Sequence, residues 1–329
     1  MLALTSATGK LGSAVLNAIL DSKLIDPKEL VVCVCLPPHH HPFYSLIPSQ
    51  TSSDPSSPKL QYLCDQNITV RHANFDEPSS LTRAYSGCTK LFLVSTPHIQ
   101  MDYNDAPLWQ GREKHHRAGI DAAIAAGVQH VYYTSLAFGN PSKAGVMRAH
   151  IRTEKYLHEL ASAGKIQYTV IREGLYNESW PLYFGYYFGL KEDKRKDVLV
   201  PGDGAISWTA IADMAFATAK VLVAASEAWA GKTVYLSQKK TWTLRDIAEI
   251  VSKVKGEDVA IKIVSRKEYE NFYVEQQGME RSSVEWWSSS YDALKDEECA
   301  IDDDTLERIL KDARREPKAL EDTIAEMMK

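Results

Sequence analysis

A parallel, doubly wound α/β sheet with a smaller, mostly C-terminal α+β part is the fold that this 329-residue sequence predicts. Three observations carry the prediction. Apolar, β-branched runs alternate with helical periods through the first half, the pattern of a sheet covered on both faces. The chain opens Met1-Leu2-Ala3-Leu4-Thr5-Ser6-Ala7-Thr8-Gly9-Lys10-Leu11-Gly12, an apolar run followed by a turn of small residues. A helical stripe then begins at Val15, Leu16, Ile19 and Leu20. After Arg172 the rhythm breaks into the aromatic segment Gly174–Phe188, which has no clear period.

In chain order, strands are predicted at Leu2–Thr5, Leu30–Leu36, Thr69–Ala73, Lys90–Ser95, His130–Ser135 and Tyr168–Arg172. Helices fall between them at Gly12–Asp21, Ser79–Ser86, Gly111–Ala126 and Arg148–Ala163. The third of these turns Ile120, Ala123, Ile124 and Val128 inward, leaves Arg112, Lys114 and Arg117 in water, and stops at Gly127. Beyond the aromatic segment come a strand running into a helix (Trp208–Ala225), a strand (Thr233–Ser237) and a helix (Thr243–Val254) capped by Thr241 or Thr243. A last strand (Val259–Val264) precedes a mostly helical end. Residues 1–172 read as a nucleotide-binding Rossmann part and 173–329 as a substrate part, with segments near 206–240 returning to the sheet.

Right-handed crossovers put every strand's carboxyl end on one edge. There the opening strand, turn and helix form a seat for a dinucleotide pyrophosphate. Unpaired N–H groups and the helix dipole bind the anion, and Gly9 and Gly12 let it approach the backbone. Ser6 stands where a G-x-x-G-x-x-G reading has its first glycine; it can make the turn at some conformational cost. An NAD site usually offers an acid about twenty residues later. Here the second strand ends Leu36-Pro37-Pro38-His39, with no carboxylate, so NADP(H) is favoured over NAD(H). Lys10 or His39-His40-His41 could supply the positive charge. Three consecutive histidines diverge and have no partner at ligand spacing, so no metal is expected. The Pro-, Ser- and His-rich stretch 37–58 reads as a loop at the adenosine end.

A net charge of −5 leaves no basic excess for nucleic-acid backbone, and no stretch is apolar enough to span a bilayer. A first strand starting at Met1 leaves no signal peptide to be expected. Five scattered cysteines without C-x-x-C spacing read as reduced thiols, and the expected location is cytoplasmic.

Five segments together carry a family resemblance: Thr5–Gly12, Asn74-Phe75-Asp76, Tyr133-Thr134-Ser135, Ala149–Leu157 and Ile171–Ser179. Ile206–Asp213 and Arg314-Arg315-Glu316-Pro317 extend it to the C-terminus. The chain resembles the NmrA-like branch of the atypical short-chain dehydrogenases/reductases, fungal secondary-metabolism members above all. Type-2 quinone oxidoreductases, triphenylmethane reductases and isoflavone-reductase-like enzymes are relatives. The resemblance implies that Thr5, Ser6, Thr8, Gly9, Lys10, Leu11 and Gly12 hold the pyrophosphate. Asn74 and Phe75 would sit beside the adenine, and Ser95, Thr96 and Pro97 would line the nicotinamide ribose. Thr134 and Ser135 would lie close to the nicotinamide. The Arg that many NADPH-using relatives carry after the second strand is absent.

Hydride transfer to a carbonyl, quinone or enone leaves an anion that needs a proton. The Tyr-x-x-x-Lys pair of ordinary superfamily members is replaced here by His150-Ile151-Arg152-Thr153-Glu154. Spacing by four puts His150 and Glu154 on one helix face, where the carboxylate would raise the imidazole pKa and orient the ring. His150 then donates the proton, or else only anchors the loop before it. Tyr176 and Asn177 are the next candidates after His150 and Glu154, Tyr176 for the catalytic role as well, since a phenol and an amide there could hydrogen-bond the substrate. Tyr176, Trp180 and Tyr183 would wall the pocket for a flat ligand, and Lys143 could reach inward. The expected activity is NAD(P)H-dependent reduction of a small aromatic, quinone, enone or polyketide-like carbonyl compound. The alternatives are a silent NAD(P)-sensing regulator with a protein partner and a non-redox isomerase or cyclase.

Overall fold

The structure, a computed structural model, describes residues 1–34 and 60–329. Its strands are β1 (Leu2–Leu4), β2 (Leu30–Val34), β3 (Thr69–His72), β4 (Lys90–Leu93), β5 (His130–Leu136), β6 (Gln167–Glu173), β7 (Leu175–Tyr176), β8 (Asp197–Val200), β9 (Trp208–Thr209), β10 (Lys232–Leu236) and β11 (Ala260–Ile263). Its α-helices are α1 (Lys10–Asp21), α2 (Gln61–Asp65), α3 (Pro78–Tyr85), α4 (Glu113–Ala125), α5 (Met147–Ser162), α6 (Trp180–Tyr183), α7 (Ile211–Val223), α8 (Ser226–Trp229), α9 (Leu244–Lys255), α10 (Arg266–Asn271), α11 (Arg281–Lys295), α12 (Thr305–Asp312) and α13 (Leu320–Met327).

Seven strands form one parallel sheet in the order β3-β2-β1-β4-β5-β6-β10. The predicted doubly wound α/β sheet is the observed one, and strand ends differ from expectation by a residue or two. The order reverses between β1 and β4. At such a switch point the loops diverge to opposite faces and leave a crevice outside the strands' carboxyl ends. Thr5 pins this point: its Oγ1 donates to the Phe92 carbonyl at 3.1 Å and accepts the Val94 N–H at 2.9 Å.

Alternation along each strand divides the side chains between two covers. Leu4, Phe92, Tyr132, Ile171 and Leu236 face a core completed by Leu16 of α1, Met214 of α7 and Leu306 of α12. Ala3, Leu91, Tyr133 and Val170 face the other, completed by Leu81 of α3, Ile120 of α4 and Leu157 of α5. The β5–β6 pairing runs in register from His130↔Gln167 to Leu136↔Glu173, so both strands deliver their last residues to the same edge.

Gly127, at φ +83°, ends α4 as expected: its N–H reaches the Ile124 carbonyl, and the Val128 N–H reaches that of Ala123. One residue of the predicted wet face is corrected. Arg112 is buried, its Nε on Asp102 Oδ2 at 2.7 Å and its Nη2 on the Val146 carbonyl at 2.9 Å. Lys114 and Arg117 are exposed. Of the two cap candidates Thr243 is used, in a capping box with Asp246. The aromatic segment and the helical C-terminus share a third core, in which Trp180, Tyr183, Phe184, Trp208, Trp287 and Tyr291 pack together. The stretch 37–58, with His39, His40 and His41, lies outside the described residues.

Candidate active site

The turn after β1 is as tight as its composition suggested. Ser6 adopts φ +53°, the left-handed region that glycine occupies without penalty. Its carbonyl accepts the Gly9 N–H at 2.8 Å. A Cβ on Gly12 would lie 2.1 Å from the same carbonyl oxygen, so only glycine fits there. Gly9 is the N-cap of α1 and offers no side-chain cap. The helix ladder begins with Ser13 donating to Gly9, which leaves the N–H groups of Lys10, Leu11 and Gly12 ahead of it. Such an N-terminus is an anion site, and the lack of a side chain to fill it fits a bound diphosphate.

A cavity of about 180 Å³ adjoins this turn, on the β1–β2–β3 side of the switch point. Thr5, Ser6, Thr8, Gly9, Asn74, Phe75, Thr96 and Pro97 line it, joined by Cys33, Val34, Asp76 and His98. The structure therefore gathers the expected pyrophosphate and adenine residues around one space. Lys10 is exposed, and the Leu11 side chain turns into the core, so its part would be played by its backbone. Ser95 reaches across to β5, its N–H donating to Thr134 Oγ1 at 2.9 Å.

Behind the cavity wall lies a polar chain that the sequence did not announce. The Thr96 N–H donates to His116 Nε2 at 3.1 Å, which places the His116 proton on Nδ1. That nitrogen meets Thr153 Oγ1 at 2.9 Å and the Tyr133 hydroxyl at 3.1 Å. Tyr133 meets His150 Nδ1 at 2.9 Å. Both His116 nitrogens and His150 Nδ1 are thus committed. Next to this chain, His115 links Asp76 (3.0 Å) to Thr96 Oγ1 (3.3 Å) and stacks on Phe75. The helical stripe Arg112, His116, Ile120, Ala123 was the available signal for His116. Reading Arg112 as solvated hid it.

His150 and Glu154 share a helix face but do not meet. The Glu154 carboxylate takes Arg172 Nη2 at 2.7 Å and Nε at 3.2 Å, and accepts the Ser135 hydroxyl at 2.5 Å. The expected orientation of His150 by Glu154 is therefore corrected, and so is the expected rise in its pKa. Burial, with Arg112, His116 and Arg172 nearby, pushes the His150 imidazole well below the ordinary histidine range. Buried, and tied to Tyr133 through Nδ1, the ring rests neutral near physiological pH. Thr134 and Ser135 are buried as well, their hydroxyls held by Ser95 and Glu154.

The aromatic wall is corrected in the same way. Trp180 is fully buried against Phe184 and Tyr187. The Tyr183 ring sits edge-on to Trp208 and Trp287 at 5.5 and 4.8 Å. Asn177 is buried and donates to Thr323 Oγ1 at 3.2 Å, so it latches α13. Lys143 points outward to Asp296. Of Tyr176, Asn177, Trp180 and Tyr183, only Tyr176 stays partly exposed. Its hydroxyl donates to Glu173 Oε2 at 2.6 Å.

Among the described residues no group of three His, Cys, Asp or Glu side chains could hold a metal ion. No helix among them is long and apolar enough to cross a membrane.

The fold and its glycine turn define a nucleotide-binding α/β protein of the Rossmann class. The NmrA-like family profile matches residues 1–313, and the chain belongs to that family. It is 30% identical over 232 residues to the NmrA-like family domain-containing oxidoreductase flvB of Aspergillus flavus, covering 69% of this chain and 70% of that protein. It is 31% identical over 275 residues to quinone oxidoreductase 2 of Escherichia coli, covering 82% and 79%. Among solved structures, the Citrobacter sp. triphenylmethane reductase complexed with NADP(H) superposes with a TM-score of 0.77 at 26% identity, over 99% of this chain and 100% of that one. The NADPH-dependent quinone oxidoreductase of Escherichia coli complexed with NADPH gives 0.76 at 27% identity, over 100% of both chains.

Proposed function

We propose that this protein is an NADPH-dependent reductase of a small quinone, enone or aromatic carbonyl compound, working in the cytosol and serving secondary metabolism. The observation that carries the reading is the α1 N-terminus: an uncapped Gly9, a Gly12 that tolerates no side chain, and an adjoining cavity lined by the β3 and β4 ends. The relatives' names, oxidoreductases of quinones and of triphenylmethane dyes with NADP(H), point the same way. When bound, the reduced dinucleotide supplies a hydride.

The chain's own residues do the rest. The N–H groups of Lys10, Leu11 and Gly12 hold the diphosphate, and the Lys10 ammonium adds positive charge beside it. Asn74 and Phe75 shape the adenine side, and Thr96 and Pro97 line the same cavity. Thr134 and Ser135 are held rigid by Ser95 and Glu154 at the end of β5. A rigid floor of this kind positions reactants without further ordering cost.

The test is calorimetric titration with NADPH and NADH, followed by NADPH oxidation over a panel of quinones, enones and cationic triarylmethyl dyes. The expected result is tighter binding of NADPH and turnover of at least one class. Absence of NADPH binding would overturn the reading. Binding without turnover would mark a dinucleotide-sensing regulator instead.

A further inference from the structure

The carboxyl end of β6 holds an acid that nothing so far has used. Glu173 is two residues beyond Ile171 and so projects to the same face of the sheet, toward α1 and α7. It is 2% exposed, and its only side-chain hydrogen bond among the described residues is the one that Oε2 accepts from the Tyr176 hydroxyl. Its other oxygen, Oε1, is buried without a hydrogen-bond partner among the described residues. A carboxylate in that setting is costly, whereas a carboxylic acid is tolerated. Tyr176 covers it: the residue is partly exposed at the sheet edge, while its hydroxyl is turned inward onto Glu173. That edge is one strand from Thr134 and Ser135 and two from the Ser95–Pro97 turn.

We propose that Tyr176 and Glu173 form the proton-delivery pair of this site: the Tyr176 phenol gives its proton to the reduced acceptor's oxygen, and Glu173 restores it. The proposal rests on the reductase reading. The balance is simple. A reduced nicotinamide dinucleotide gives two electrons and one hydrogen to the acceptor as hydride. The oxygen anion so formed takes the phenolic proton, an O–H bond forming as the tyrosyl O–H breaks. The phenolate takes the Glu173 proton, and solvent reprotonates Glu173 before the next turnover.

Surrounding charges favour an acid that keeps its proton. Arg172 points to the opposite face and is occupied by Glu154, Phe138 and Tyr235. Asp213, at the start of α7, accepts the Lys318 N–H, and Glu178 accepts the Ile211 N–H. Burial first, then Glu173, Glu178 and Tyr183, hold the Tyr176 phenol well above its ordinary range, so it keeps its proton until a stronger base, the acceptor's oxygen anion, forms beside it. With no cation to offset burial, Glu173 is pushed up to about 8 and is protonated at neutral pH.

Acceptor chemistry supplies the test. An α,β-unsaturated ketone needs a proton after hydride addition; a cationic triarylmethyl dye becomes neutral on taking hydride and needs none. In Glu173→Gln and Tyr176→Phe the ratio of enone kcat to dye kcat should fall at least tenfold. Wild-type enone kcat should decline above about pH 8, and Glu173→Gln should lose that limb. Infrared difference spectra of the ligand-free protein should contain a protonated-carboxyl band that titrates near pH 8 and vanishes in Glu173→Gln. Equal slowing of both acceptors, no slowing of either, or absence of the carboxyl band would overturn the pair. A wild-type protein that reduces neither acceptor would instead overturn the reductase reading, and the pair with it.

Discussion

Two polar clusters lie one strand apart on this sheet and are satisfied to different degrees. Between β5 and α5, both His116 nitrogens, the Tyr133 hydroxyl and His150 Nδ1 have partners, and Glu154 closes on Arg172 and Ser135. At the end of β6, Glu173 has one bond, one orphaned oxygen and a partly exposed tyrosine as its cover. A closed network in a low-dielectric interior fixes strand to helix and has no proton to spare. An open one keeps a group whose protonation can change. The chemistry expected of α5 thus moves to the end of β6, and the α5 residues become its scaffold.

Breaking the scaffold should cost the most. Glu154→Ala leaves the buried Arg172 guanidinium without its carboxylate, a loss of about 3–5 kcal/mol that urea unfolding would measure. A loss below about 1 kcal/mol would mean that the closed cluster bears little of the fold. Tyr133→Phe strands one nitrogen of His150 and should cost about 2 kcal/mol. Enone reduction per folded molecule should persist, and its loss would return His150 to the chemistry.

The open cluster should appear in the pH dependence of stability. The folded-state pKa of Glu173, about 8, lies above the ordinary 4.5, so the folded protein keeps a proton that the unfolded chain releases. Stability present below pH 4.5 is therefore lost as pH rises toward 8, at up to ~1.4 kcal/mol per pH unit. Glu173→Gln should flatten this slope in unfolding curves taken across that range, and an unchanged slope would place the proton elsewhere. The smallest effect is at the opening turn. Ser6→Gly relieves a left-handed serine and should gain no more than about 1 kcal/mol, read as a modest rise in Tm.

What the sequence revealed and what it hid follow from the range of the interactions. The opening turn was legible because Ser6, Gly9 and Gly12 act on one another within a few residues. The strands were legible because apolar runs mark a sheet covered on both faces. The partners of α5 were not legible. Spacing by four put His150 and Glu154 on one face, but the strand register decides that the first meets Tyr133 and the second Arg172. Asn177 looked like a ligand contact because its partner Thr323 lies far along the chain, on α13. Glu173 was given no role within Ile171–Ser179, because its burial follows from the sheet and not from its neighbours in sequence. Alternation along β6 sends its side chain and that of Arg172 to opposite faces.

The most direct test of this division is a crystal structure with NADPH bound. The nicotinamide should lie at the β5–β6 edge with the Tyr176 hydroxyl facing the open space beside it, and His150 should still be bonded to Tyr133. A nicotinamide lying away from that edge, or a His150 ring turned out of its network toward it, would contradict the account.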